Sequence, residues 1–157
     1  MDVGLYGGSF DPVHLGHMAV ITAASELLDR LVVVVAGNSR KETGLFTVDE
    51  RVALLSGACG SLGNVRVVAH RGLLVDIATR VGADVLVRSA GKEHSDETGM
   101  AYLNGRGGMP TLLIPSDPAT ACISSSTVRS LTGGGRLAAL QYLVPPSVAA
   151  ELQRQVP

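Results

Sequence analysis

The chain of 157 residues carries 13 basic against 14 acidic side chains, a formal net charge of −1, which excludes a nucleic-acid coat or a membrane surface held by charge. Tryptophan is absent and aromatics make up 3 % of the residues, too few for a platform that stacks bases. No apolar run approaches the roughly 18 residues of a membrane span, and the start lacks a basic region followed by a long apolar core, so a cytoplasmic protein is expected. The length suits one domain, 1–157, with a real core, and the abundance of glycine, alanine, valine and leucine suits a parallel sheet covered by helices. Cys59 and Cys122 show no metal-like spacing and read as small buried residues in a reducing compartment.

Apolar runs of strand length alternate with helix-like segments. Val3–Tyr6 reads as a first strand and His14–Leu28 as a first helix. Leu31–Ala36 (LVVVVA) is a continuous β-branched run, as expected of a strand buried on both faces. Thr47 and Glu50 have the spacing of a capping box, and the helix they open carries Val52, Leu54 and Leu55 and ends near Gly57–Gly60. Val65–Ala69, Val85–Arg88 and Thr111–Ile114 are further strands, with a short helix Leu74–Val81 between the first two. After the polar loop Pro115–Thr120, Ser124–Ser126 leads into a helix through Leu131 that Gly133–Gly135 breaks. Leu137–Leu143 and Ser147–Gln155, the latter behind Pro145-Pro146, close the chain as helices. The alternation predicts an α/β, Rossmann-like, doubly wound parallel sheet of five strands with helices on both faces. Ligands of such sheets sit beyond the carboxyl ends of the strands.

Those ends collect polar groups. Gly7-Gly8-Ser9-Phe10-Asp11-Pro12-Val13-His14-Leu15-Gly16-His17 is a glycine-bearing turn between a strand and a helix that opens with two histidines. Glycines let backbone N–H groups approach a bulky ligand, and a helix N-terminus offers unpaired N–H groups suited to phosphate. His14 and His17, three apart, share one face of the first helical turn. Lys41, Arg88, Ser124–Ser126 and Arg129 add cations and donors at other strand ends, without a nucleophile–base pair. That balance suits phosphoryl or nucleotidyl transfer, where positioning and charge neutralisation supply most of the catalysis.

Gly8-Ser9-Phe10-Asp11-Pro12 with His14-Leu15-Gly16-His17 resembles the HxGH element of the nucleotidylyltransferase superfamily, and Ile123-Ser124-Ser125-Ser126-Thr127-Val128-Arg129 resembles its ISSSxxR/K element. Asn38-Ser39-Arg40-Lys41, Leu45–Arg51, Leu62–Val67, Gly72–Asp76 and the strand ending at Arg88 are similar to bacterial phosphopantetheine adenylyltransferases. The resemblance breaks between 89 and 103, where Ser89-Ala90-Gly91-Lys92 lacks that family's second arginine, and again at Ala119–Cys122. It implies transfer of AMP from ATP to the terminal phosphate of 4′-phosphopantetheine by direct in-line attack, with Mg²⁺ bridging phosphates.

The resemblance assigns catalysis to His17, Lys41 and Arg88. It assigns the nucleotide to Gly8, Ser9, Phe10, His14, Gly16, His17, Ser124, Ser125, Ser126 and Arg129. The acceptor falls to Ser9, Lys41, Leu74, Arg88 and Asn104, with no protein metal ligand. It also implies a homo-oligomer, commonly a hexamer. The same chemistry with another pair is an alternative, because Gly135-Arg136 and Tyr142–Pro146 also look like nicotinate mononucleotide adenylyltransferases. A cytidylyltransferase acting on a small phosphate or phosphonate is a further alternative, and a non-catalytic nucleotide-binding protein is a third.

Overall fold

The computed structural model describes residues 2–37, 44–90 and 108–155. Lys41 and Asn104, and most of the divergent stretch after Ala90, lie outside the described residues. Five strands, β1 (Val3–Gly8), β2 (Arg30–Ala36), β3 (Val65–His70), β4 (Val85–Ala90) and β5 (Thr111–Pro115), form an all-parallel sheet in the order β3-β2-β1-β4-β5. The valine run works as its sequence demands. Leu31, Val33 and Val35 enter one core cluster and Val32 and Val34 the other, so β2 is buried on both faces.

The order reverses between β1 and β4, and there the ladder opens. β1 stays paired with β2 to Gly8↔Val35, but its pairing with β4 ends at Tyr6↔Val87. β4 meanwhile runs on beside β5 to Ala90↔Pro115. The carboxyl ends of β1 and β4 therefore part into a crevice, the place where ligands bind in open α/β sheets.

Helices α1 (Leu15–Leu27), α2 (Val48–Ala58), α4 (Ser125–Gly133) and α5 (Pro146–Gln155) pack on one face through Ile21, Ala24, Leu55, Val128, Val148 and Leu152. Among the described residues the other face is covered by α3 (Leu74–Val81), through Ile77 and Ala78. Both halves of the expected capping box form at α2: Glu50 N–H donates to Thr47 Oγ1 at 3.3 Å, and Thr47 N–H to Glu50 Oε2 at 2.8 Å. Leu137–Tyr142, expected as helix, is a 3₁₀ turn. Cys59 is buried as expected, but Cys122 is exposed, because the loop that carries it runs over the surface between β5 and α4. No helix among the described residues is long and apolar enough to cross a membrane.

Candidate active site

The first turn of α1 is capped by its own histidines. His14, in extended backbone (φ −134°, ψ 172°), is the N-cap, and its Nδ1 accepts from His17 N–H at 3.3 Å. In return His14 N–H donates to His17 Nδ1 at 3.2 Å. The rings stack with centroids 3.6 Å apart and planes 26° from parallel. An Nδ1 that accepts a hydrogen bond leaves the proton of a neutral imidazole on Nε2, so both rings present an Nε2–H as their free donor. Burial lowers the His14 pKa to about 4, and burial followed by the charge of His14 lowers that of His17 to about 3. Both rings are neutral at pH 7.

The remaining amides of this turn can be accounted for one by one. Leu15 N–H donates to Leu143 O at 2.8 Å and His17 N–H to His14. Gly16 N–H alone finds no protein acceptor among the described residues. A side chain at Gly16 is excluded by close approach, since a Cβ there would sit 2.9 Å from His14 Cε1 and 3.4 Å from Thr120 O. The helix end thus offers an incoming anion one amide and two imidazole N–H groups.

The turn that carries these groups is held from behind. Phe10, in left-handed backbone (φ 47°), is 2 % exposed and packs edge-on against Tyr6 at 5.5 Å and His17 at 4.8 Å. Its ring supports the His17 imidazole, and only its backbone is left for a nucleotide. Three side chains grip carbonyls of the turn: Arg51 Nη1 donates to Ser9 O at 2.8 Å, Arg129 Nη1 to Asp11 O at 2.6 Å, and Ser125 Oγ to Pro12 O at 2.9 Å. The Asp11 carboxylate accepts from Leu45 N–H and Phe46 N–H, each at 2.9 Å, and so ties the turn to the segment leading into α2.

Ser125 and Arg129 also fix the start of α4 beside that of α1. Ser124 is its N-cap, accepting from Thr127 N–H at 3.1 Å, and Ser126 Oγ accepts from Arg129 Nη2 at 3.2 Å. Both helix starts open into a cleft of about 290 Å³ at the β1–β4 crevice, lined among others by Tyr6, His14, Gly16, His17, Ser89, Asp117, Ser124 and Ser125. The cleft therefore unites the two sequence motifs, whereas Ser9, Ser126 and Arg129 stand outside its lining. Arg88 follows Val87 on β4, and the pleat sets it on the α3 side of the sheet, opposite Ser89. Leu74 is on that side too, folded over the end of β1: a Cβ on Gly7 would meet its Cδ2 at 2.5 Å.

Arg51 and Asp11 were not visible as site residues in the sequence. A signal existed for Arg51, which shares the buried i, i+4, i+8 stripe of α2 with Leu55 and Cys59, where an apolar residue is expected. For Asp11 the sequence holds no such sign, because its partners are backbone amides.

Comparison with known proteins agrees with this geometry. A family model described as cytidylyltransferase-like matches residues 5–131. The chain is 40 % identical over 157 residues to a phosphopantetheine adenylyltransferase of Cutibacterium acnes, covering 98 % of each. It is 37 % identical to one of Corynebacterium diphtheriae, over 95 % of this chain and 94 % of that one. A solved structure from Vibrio parahaemolyticus, provisionally described as a nicotinate-nucleotide adenylyltransferase, superposes with a TM-score of 0.66 at 19 % identity, covering 98 % of this chain and 99 % of that one; this likeness speaks for the fold alone. Two helix starts joined at a sheet crevice, a pair of capping imidazoles and these full-length relatives lead to one conclusion: the chain belongs to the cytidylyltransferase-like family, among the phosphopantetheine adenylyltransferases.

Proposed function

We propose that the protein transfers the adenylyl group of ATP to the terminal phosphate of 4′-phosphopantetheine, giving dephospho-coenzyme A and pyrophosphate. The observation that carries this reading is the likeness to phosphopantetheine adenylyltransferases along 98 % of the chain. The attacking group is already an anion and needs no general base, so the work is to align two phosphates and to stabilise charge on the pentacovalent phosphorus. His17 Nε2–H donates to the α-phosphate oxygens, and His14 Nε2–H with Gly16 N–H supports the phosphates beyond. Neutral donors suit this role, because their hydrogen bonds strengthen as the oxygens gain charge.

The N-terminal amides of α4 hold the leaving pyrophosphate, and Ser9 and Lys41 orient the attacking phosphate, with Arg88 as a forked partner to phosphate oxygens. Among the described residues no group of three His, Cys, Asp or Glu side chains could cage a metal. Magnesium would come as part of the substrate, held mostly by phosphate oxygens and water, and would neutralise part of the triphosphate's charge. Family resemblance extends the proposal to a cytoplasmic homo-oligomer, commonly a hexamer.

Pyrophosphate release tests the reading, with ATP or CTP offered against 4′-phosphopantetheine, nicotinate mononucleotide and a small phosphonate. Turnover confined to ATP with phosphopantetheine is expected. Activity only with another pair, or with none, refutes it.

A further inference from the structure

We infer that Arg51 is a positioning residue for the acceptor-phosphate side of this site; the inference rests on the reading of Ser9 and Lys41 as the groups that orient the attacking phosphate. Arg51 is 9 % exposed and projects from the first turns of α2. Its Nη1 donates to Ser9 O at 2.8 Å and to Ala36 O at 3.4 Å, and its Nε to Thr47 O at 3.4 Å. One guanidinium therefore ties the end of β2, the start of α2 and the catalytic turn after β1. Ala36 and Thr47 bracket Lys41 along the sequence, and Ser9 is the other residue assigned to the attacking phosphate in the proposed chemistry.

Two features set this arginine apart from an ordinary buried one. Its recorded acceptors are all carbonyls, and among the described residues no carboxylate pairs with it. A buried cation without a counter-ion is costly, and the cost falls when an anion comes near. An acceptor phosphate seated by Ser9 is such an anion. The planar fork is also needed for the geometry, since a lysine brings charge to one carbonyl but cannot bridge strands with a rigid frame. The carbonyls that Arg51 grips lie on Ser9, at the end of β2 and at the start of α2, whereas Arg129 and Ser125 grip Asp11 O and Pro12 O, on the side of the turn toward α4. Loss of Arg51 should thus separate the two substrates kinetically.

The test compares Arg51→Lys and Arg51→Met with wild-type protein, reading kcat and KM for each substrate alongside thermal midpoint and circular dichroism. The wild type is assayed first with the acceptor panel given above, and the variants are then assayed with whichever acceptor it uses. A failure of the proposed function is thereby seen in the wild type, and a failure of the Arg51 role only in the variants. The expected result is a roughly 10–100-fold fall in kcat/KM for the acceptor, with KM for the nucleotide within about twofold of wild type, in both folded variants. Kinetics within about threefold of wild type in a folded variant overturn the proposal. A parallel rise in KM for both substrates also overturns it, in favour of a general packing role. Should the methionine variant fail to fold, the lysine variant decides; if it too fails to fold, Arg51 serves the fold alone and the proposal is lost.

Discussion

Replacing His14 by asparagine should flatten the acid limb of the stability curve. In the reciprocal cap each Nδ1 accepts from a backbone N–H. A proton placed on His14 Nδ1 sets N–H against N–H and breaks the cap. The unfolded chain binds that proton near pH 6.5 and the folded chain only near 4. Between those values the unfolded state holds more protons, so stability rises with pH there; it is fully present above about 6.5 and drains away as the pH falls toward 4. At about 1.4 kcal/mol per unit of pKa difference, His14 alone is worth about 3 kcal/mol across the window. His17 adds to the slope, discounted because its side chain is partly open to solvent. Asparagine keeps an oxygen acceptor at the N-cap and does not titrate. Urea midpoints measured from pH 7.5 to 4 should therefore show the wild type losing about 3 kcal/mol more than His14→Asn below pH 6.5. Two curves that run parallel through that window would mean that the rings are not held neutral by the fold, and the tautomer argument would fall with them.

Three further outcomes are expected. His17→Ala should lower kcat by roughly 10²–10³ while the dissociation constant for ATP, read by calorimetry, moves only a few-fold, because the lost bond belongs mainly to the transition state. Gly16→Ala should cost about 1–3 kcal/mol in denaturant stability and most of the turnover, since its Cβ would push into the stacked His14 ring. Ser125→Ala should cost about 1 kcal/mol through the lost bond to Pro12 O and raise KM for the nucleotide several-fold, leaving that of the acceptor unchanged.

Much of this molecule is legible along the chain. The valine run of β2, the Thr47–Glu50 box and the helix Leu74–Val81 stand where pattern and cap chemistry set them, because each depends on neighbours within a few residues. The strands run longer at their carboxyl ends than hydrophobicity suggests. Gly7 and Gly8, and Ser89 and Ala90, lack apolar bulk, yet their backbones still pair across the ladder. Periodicity weighs side chains and is blind to such pairing. Within the site, the histidine pair and the serine run are visible as motifs, and their convergence follows from the strand order. Which side chains touch phosphate is another matter. Ser125, read as a phosphate ligand, donates its hydroxyl to Pro12 O, and Arg129 donates from Nη1 to Asp11 O and from Nη2 to Ser126 Oγ. The bonds to Pro12 O and Asp11 O span more than a hundred residues, and no local rule anticipates them.

The gripping of Ser9 O, Asp11 O and Pro12 O has a consequence for ion selectivity. A polar turn is by nature ambivalent, since its carbonyls can host a cation as readily as its amides host an anion. Here side-chain donors from α2 and α4 engage Ser9 O, Asp11 O and Pro12 O from the outside, while Gly16 N–H and the two imidazole Nε2–H groups are left to donate. The turn discriminates by the direction of its dipoles, in a chain whose formal charge is −1.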